Sequence, residues 1–117
     1  LHDALPIYAA HTLGYQRVIC AFQPHTYTRT AALFDDFVEV LKQPDVALLA
    51  EIYAARETND IGISSKDLAA RIPGARYCAT LPEVTAALRE LARPGDLILT
   101  VGAGDIYTAG EALVSEA

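Results

Sequence analysis

Short apolar runs alternate with segments of helical periodicity along most of the chain. Each apolar run is followed by a segment whose apolar residues recur every three or four positions, which is typical of an amphipathic helix. This alternation predicts an α/β fold whose mostly parallel sheet has helices on both faces. The runs that predict buried strands are RVICAF (Arg17–Phe22), DVALLAEIY (Asp45–Tyr53), ARYCAT (Ala75–Thr80) and DLILTV (Asp96–Val101).

Polar residues before the helical segments predict where the helices begin. Thr28 is the predicted N-cap of one continuous helix that follows the first strand and extends through Leu41. A last helix is predicted over Ile106–Ser115, and YAAHTLG near the start resembles the end of a helix that terminates at Gly14. Two pairs have the capping-box spacing, Ser64 with Asp67 and Thr80 with Glu83.

Composition and charge exclude several classes of partner. The net charge of −6 and the scattered basic residues argue against nucleic acid or an anionic membrane surface as the main partner. No apolar run approaches the roughly 20 residues that span a bilayer.

The chain has no methionine, which predicts a fragment of a longer protein.

The two cysteines, Cys20 and Cys78, lie in apolar strand-like runs without CxxC or Cys/His spacing. This pattern favours two buried free thiols in a reducing compartment. A disulfide or a metal site is the alternative.

Residues suited to ligand binding follow three of the predicted strands. QPHTYTR follows the first strand, YAARETND the second and GAGD the fourth. Because ligands collect at the carboxyl ends of parallel strands, His25 and Arg29 are predicted to face a ligand there. The guanidinium of Arg29 suits a carboxylate or a phosphate. The alternative is a surface arginine paired with Asp35, Asp36 or Glu57.

The VGAGD segment does not have the spacing of a dinucleotide site. The third glycine of GxGxxG would fall at Tyr107, so Gly102 and Gly104 predict instead a tight turn with close backbone approach. The chain has no GxxxxGK[ST] loop.

The charged residues of the loop after the second strand form either an acid/base or magnesium cluster or a solvated surface: Glu51, Arg56, Glu57 and Asp60.

Three segments resemble the C-terminal domain of the Mur ligase family in order and spacing. They are VICAFQPHTYTRTAALFDDFVEVL, ALLAEIYAARE and GDLILTVGAGDIY. The resemblance covers residues 14–117, and residues 1–13 are interpreted as an atypical N-terminal segment with the remnant of a first helix. The family enters this domain through a strand with an Asp-Asp-Tyr-x-His-His-Pro motif. That motif is absent here, so a first strand is predicted to be missing or replaced.

The resemblance implies a Rossmann-like domain of a three-domain cytoplasmic enzyme of peptidoglycan synthesis. The most similar members join L-alanine to UDP-N-acetylmuramate: ATP phosphorylates the muramate carboxylate, and the amine of L-alanine attacks the acyl phosphate. ATP and Mg²⁺ would be bound mainly by a central domain and the UDP sugar by an N-terminal domain. The isolated chain is therefore expected to be inactive.

The resemblance also assigns residues by position. His25 and Arg29 would face the amino acid, and Arg29 would bind its carboxylate. Thr26 stands where some members have arginine and others threonine, and Gly102 and Gly104 would form the nucleotide-side rim. No catalytic or metal-binding residue is assigned. Two alternatives stay open, a non-catalytic α/β binding module and the related ligase that attaches a preformed peptide to the same sugar nucleotide.

Overall fold

The computed structural model describes residues 14–102 and 104–115. Its strands are β1 (Arg17–Gln23), β2 (Val46–Ala50), β3 (Arg76–Cys78) and β4 (Asp96–Gly102). Its helices are α1 (Tyr27–Ala32), α2 (Phe34–Val40), α3 (Ser65–Ala70), α4 (Leu81–Leu91) and α5 (Tyr107–Ser115). None of the helices in the described ranges is long and apolar enough to cross a membrane.

The strands form one sheet in the order β3-β2-β1-β4, and every neighbouring pair is parallel. The predicted α/β class with a parallel sheet is therefore confirmed. Both faces are covered, as the alternating apolar residues of the central strands require. On one face Cys20 and Phe22 of β1 pack with residues of α2 and α3, and on the other Ile19 and Ala21 pack with residues of α4 and α5.

The order of the strands places a change in the direction of winding beside β1. From β1 the chain adds β2 and then β3 on one side, and β4 lies on the other side of β1. Parallel α/β sheets bind ligands where the direction of winding reverses in this way. This change lies between β1 and β4, whose carboxyl ends are side by side, with Gln23 in register with Gly102.

The opposite, amino-terminal edge of the same strand pair is held by an ion pair. Arg17 and Asp96 are register partners at the first positions of β1 and β4. The Arg17 guanidinium donates to both Asp96 carboxylate oxygens, at 3.2 and 2.8 Å, and to the carbonyl of Leu91 at 2.6 Å. The hydrogen bond from Arg17 lowers the pKa of Asp96.

Two predicted helix starts are confirmed and one is wrong. Ser64 and Asp67 form the reciprocal capping box of α3, and Thr80 caps α4 by accepting from the amide of Glu83. Thr28 is not an N-cap, because the hydroxyl of Thr26 accepts from the amide of Arg29 and α1 begins at Tyr27.

The helix predicted to run from this start through Leu41 is in fact two short helices. Leu33 has φ −109° and ψ 20°, which ends α1, and its carbonyl accepts from the amide of Phe37 in α2. The apolar spacing that predicted one helix is shared by α1 and α2, so periodicity alone did not reveal the break.

The second strand is shorter than predicted. β2 ends at Ala50, three residues before the predicted end at Tyr53. Tyr53 then forms an isolated parallel bridge with His25. The apolar run therefore contains β2, then two residues outside the strand, and then Tyr53, which pairs with His25.

Both cysteines are buried free thiols, so the disulfide alternative is wrong. Cys20 and Cys78 belong to apolar clusters on opposite faces of the sheet. Burial raises the pKa of the Cys20 thiol to about 12.

The prediction about the start of the chain lies largely outside the described residues. Gly14 has φ +77°, a conformation that suits a glycine after a helix. The predicted first helix and the predicted loss of a first strand both fall within residues 1–13.

Candidate functional site

The candidate site lies at the carboxyl ends of β1 and β4. Phe22 and Gln23 pair with Val101 and Gly102, so the two strands end side by side. The residues predicted from sequence to face a ligand follow these strand ends directly.

Close packing explains the two glycines of the second turn. A Cβ atom at Gly102, whose φ is +131°, would clash with the carbonyl oxygen of Gln23. A Cβ atom at Gly104 would lie 3.0 Å from the ring of Tyr53 and 3.1 Å from the Oε1 atom of Gln23. The predicted close approach of the backbone is therefore present. The role of these glycines as a nucleotide-side rim stays a prediction.

Gln23 and Tyr53 are site residues that sequence reasoning missed. The Nε2 atom of Gln23 donates to the carbonyl of Glu51 at 3.1 Å, which ties the end of β1 to the end of β2. Its Oε1 atom is buried, and no donor to it is found within the described ranges. The only signal in the sequence was position, since both residues follow or end a predicted strand.

His25 is oriented by Tyr53. The two rings are stacked, with centroids 5.8 Å apart and planes inclined by 16°. The ring of Tyr53 also lies next to Gly104, where an added Cβ atom would be 3.0 Å from it. The structure therefore brings His25, Tyr53 and the glycine turn together at one edge of the sheet, although Tyr53 itself is 41% exposed.

Two backbone hydrogen bonds hold the turn that carries His25. The amide of Tyr53 donates to the carbonyl of Pro24, and the amide of Thr26 donates to the carbonyl of Tyr53, each at 2.8 Å. Thr26 has φ +63°, which is unusual for a residue with a branched side chain. Such a conformation persists only where the surrounding structure fixes it.

Arg29 lies on the face of the sheet that α2 covers. Its guanidinium carbon is 5.7 Å from the centroid of the Phe37 ring, which itself packs on Phe22 near the end of β1. Because α1 has only six residues, Arg29 is also in its last turn, so the helix dipole gives no argument for an anionic partner. Two of the alternative partners have contacts of their own: Asp35 lies 3.7 Å from Arg71, and Glu57 bonds to α1.

Two acidic residues of the loop after β2, Glu51 and Glu57, bond to helix starts, whereas Asp60 accepts from the hydroxyl of Thr58. The carboxylate of Glu51 accepts from the hydroxyl of Ser64 at 2.9 Å and from the amide of Ser65 at 3.0 Å. The carboxylate of Glu57 accepts from the amides of Tyr27 and Thr28 and from the hydroxyl of Thr28.

These contacts change the interpretation of the loop. The hydrogen bonds from Thr28, first from its hydroxyl and then from its amide, lower the pKa of Glu57. Among the residues that the structure describes, no group of three or more His, Cys, Asp or Glu side chains is arranged to hold a metal ion. The carboxylates of Glu51 and Glu57 therefore serve as acceptors for amides and hydroxyls at helix starts.

The family model for the "Mur ligase, glutamate ligase domain" matches residues 4–104 of the chain. Among curated relatives, UDP-N-acetylmuramate–L-alanine ligase of Agathobacter rectalis is 44% identical over 112 residues, which are 92% of this chain and 24% of the relative. The ligase of the same name from Syntrophotalea carbinolica is 46% identical over 103 residues, 84% of this chain and 22% of the relative. The chain thus spans about a quarter of the length of these relatives.

A solved structure shares the fold. It is a domain from Haemophilus ducreyi of a protein assigned as UDP-N-acetylmuramate:L-alanyl-γ-D-glutamyl-meso-diaminopimelate ligase. The two superpose with a TM-score of 0.69 at 18% identity, over 98% of this chain and 80% of the other. The match of the family model to most of the chain and the high identity to these relatives show that the chain belongs to the Mur ligase family, as its C-terminal domain.

Proposed function

We propose that the chain is the amino-acid-binding domain of a cytoplasmic ligase that joins L-alanine to UDP-N-acetylmuramate in peptidoglycan synthesis. The observation that carries the proposal is the identity of 44% and 46% to two ligases of that name over nearly the whole chain. The chain spans about a quarter of those relatives, and the proposal assigns the UDP sugar to an N-terminal domain and ATP mainly to a central domain.

In this proposal the turn after β1 binds the amino acid. Arg29 receives the α-carboxylate, since a guanidinium presents two parallel donors to a carboxylate. The ring of His25, set by its stacking on Tyr53, offers a nitrogen to the polar groups of the same ligand. Thr26 fixes the turn between them through its hydrogen bonds, and Gly102 and Gly104 line the side that faces the nucleotide.

The chemistry needs only positioning from this domain. The carboxylate of the muramate is activated as an acyl phosphate, and the amine of L-alanine attacks the acyl carbon and displaces phosphate. ATP and Mg²⁺ supply that activation. The described residues offer no cluster of three metal ligands and the sequence has no phosphate-binding GxxxxGK[ST] loop, so the proposal assigns both to the rest of the protein.

The direct test is substrate dependence of the full-length protein. We expect ADP release to require UDP-N-acetylmuramate and L-alanine together, and the product to contain one new amide bond by mass spectrometry. A tripeptide used in place of L-alanine distinguishes the related ligase. Turnover with the tripeptide and none with L-alanine would assign that activity instead, and no turnover with either would favour a non-catalytic module.

A further inference from the structure

The loop after β2 contacts the amino-acid-binding turn through one carboxylate. The Oε1 atom of Glu57 accepts from the amide of Tyr27 at 2.8 Å and from that of Thr28 at 3.1 Å. Its Oε2 atom accepts from the hydroxyl of Thr28 at 2.5 Å. A residue 30 positions away in the sequence therefore fixes the first turn of α1.

All four amides at the start of α1 have acceptors within the chain. Those of Tyr27 and Thr28 donate to Glu57, and those of Arg29 and Thr30 donate to the hydroxyl and carbonyl of Thr26. An incoming carboxylate therefore has to be bound by side chains of the turn and not by its backbone.

The same contacts hold a strained conformation. Thr26, with φ +63°, lies between the backbone bonds to Tyr53 and the bonds to Glu57. A left-handed, branched residue relaxes when one of its flanking restraints is removed. Relaxation at Thr26 would move His25 on one side and Arg29 on the other, since both are within three residues of it.

We infer that Glu57 is a positioning residue for the amino-acid site: its carboxylate fixes the turn from which His25 and Arg29 project. The inference rests on the proposed function. Glu57 does not touch the substrate, so it acts on the affinity for the amino acid and not on the sites for the sugar nucleotide or ATP.

Steady-state kinetics of the full-length ligase test this role. We expect Glu57→Ala to raise the KM for L-alanine about 10- to 100-fold, because small displacements of positioning groups have effects of that size, and to leave the KM for UDP-N-acetylmuramate and ATP unchanged. Glu57→Gln, which keeps an acceptor for the two amides, should recover much of the loss. Thr28→Val removes only the hydroxyl donor and should give a smaller change in the same direction.

Glu51→Ala is the matched control. Glu51 belongs to the same loop and caps α3 through two bonds, but it does not contact the turn with its carboxylate. Its variant should lower the melting temperature and leave the KM for L-alanine unchanged.

Two results would overturn the inference, and only one of them would also overturn the proposed function. If the wild-type ligase uses L-alanine and the Glu57 and Thr28 variants keep its KM, then Glu57 is only structural. If the wild-type protein does not use L-alanine, the proposed function fails and the inference fails with it. Should Glu57→Ala not fold, the milder Glu57→Gln and Thr28→Val variants decide between these outcomes.

Discussion

Two residues of the turn after β1 and one residue of α1 are fixed by three different interactions. His25 stacks on Tyr53, Thr26 bonds to the backbone of Tyr53, and Arg29 packs on Phe37. The turn is therefore held from both the β2 side and the α2 side of the sheet. A ligand that binds here meets side chains whose positions are set before it arrives, which reduces the entropy lost on binding.

At the same scale, the glycines give a stability test. We expect Gly102→Ala to lower the free energy of unfolding by more than about 1 kcal/mol, because the position combines a positive φ with a clash against Gln23. Gly62→Ala is the control, since Gly62 also has a positive φ but open space around it. Chemical denaturation measures both. Equal losses in the two variants would mean that close packing at Gly102 does not matter.

The sequence predicted that the candidate residues follow strand ends, but it did not predict the contacts that hold them. His25, Arg29 and the glycine pair follow strand ends, and strand ends are visible in a single sequence. The stacking of Tyr53, the bond from Gln23 to Glu51 and the capping by Glu57 join segments about 28 to 30 residues apart. Contacts of this kind depend on how strands align in the sheet, which no local pattern specifies.

Among the secondary-structure elements, the starts of α3 and α4 were predicted, whereas the N-cap of α1 was predicted two residues late, at Thr28 instead of Thr26. Ser64 and Thr80 cap helices through residues three positions ahead, and both were identified. At α1, three threonines lie within five residues, at positions 26, 28 and 30. Thr26 is the N-cap, and the hydroxyl of Thr28 donates to Glu57. The sheet order likewise needed the structure, because alternation gives the class but not the sequence of neighbours.

The ion pair between the first residues of β1 and β4 predicts how stability depends on pH. The pKa of Asp96 is lowered in the folded chain, so the pair contributes above the ordinary aspartate value of 3.8 and is lost as pH falls through the lowered value. Asp96→Asn should therefore lower the melting temperature at neutral pH and reduce the difference between neutral pH and pH of about 3.

Thermal unfolding followed by circular dichroism at the two pH values checks this. Asp105→Asn is a suitable control because Asp105 is an exposed residue in the turn after β4, and its bond to Thr108 uses only its backbone carbonyl. An unchanged pH difference in the Asp96 variant would show that other carboxylates account for it.

For the whole molecule, the proposed function implies that this domain contributes only part of an active site. We propose that polar side chains at the sheet edge bind a small acid; among the described residues, no group is arranged to hold a metal ion. We expect the isolated chain to show no ligase activity and no ATP binding at micromolar affinity by calorimetry. Micromolar binding of ATP to the chain alone would contradict the assignment of the ATP site to other parts of the protein.

The central claim is that Arg29 binds the carboxylate of L-alanine, and the KM for L-alanine of the Arg29→Ala full-length ligase tests it most directly. Loss of a charged hydrogen bond typically costs about 1.5–3 kcal/mol, so we predict a rise of about 10- to 150-fold with the KM for UDP-N-acetylmuramate unchanged. Arg71→Ala is the control, because Arg71 packs on Phe34 at 5.6 Å much as Arg29 packs on Phe37 at 5.7 Å. An Arg29 variant whose KM for L-alanine equals that of the wild type would contradict the claim.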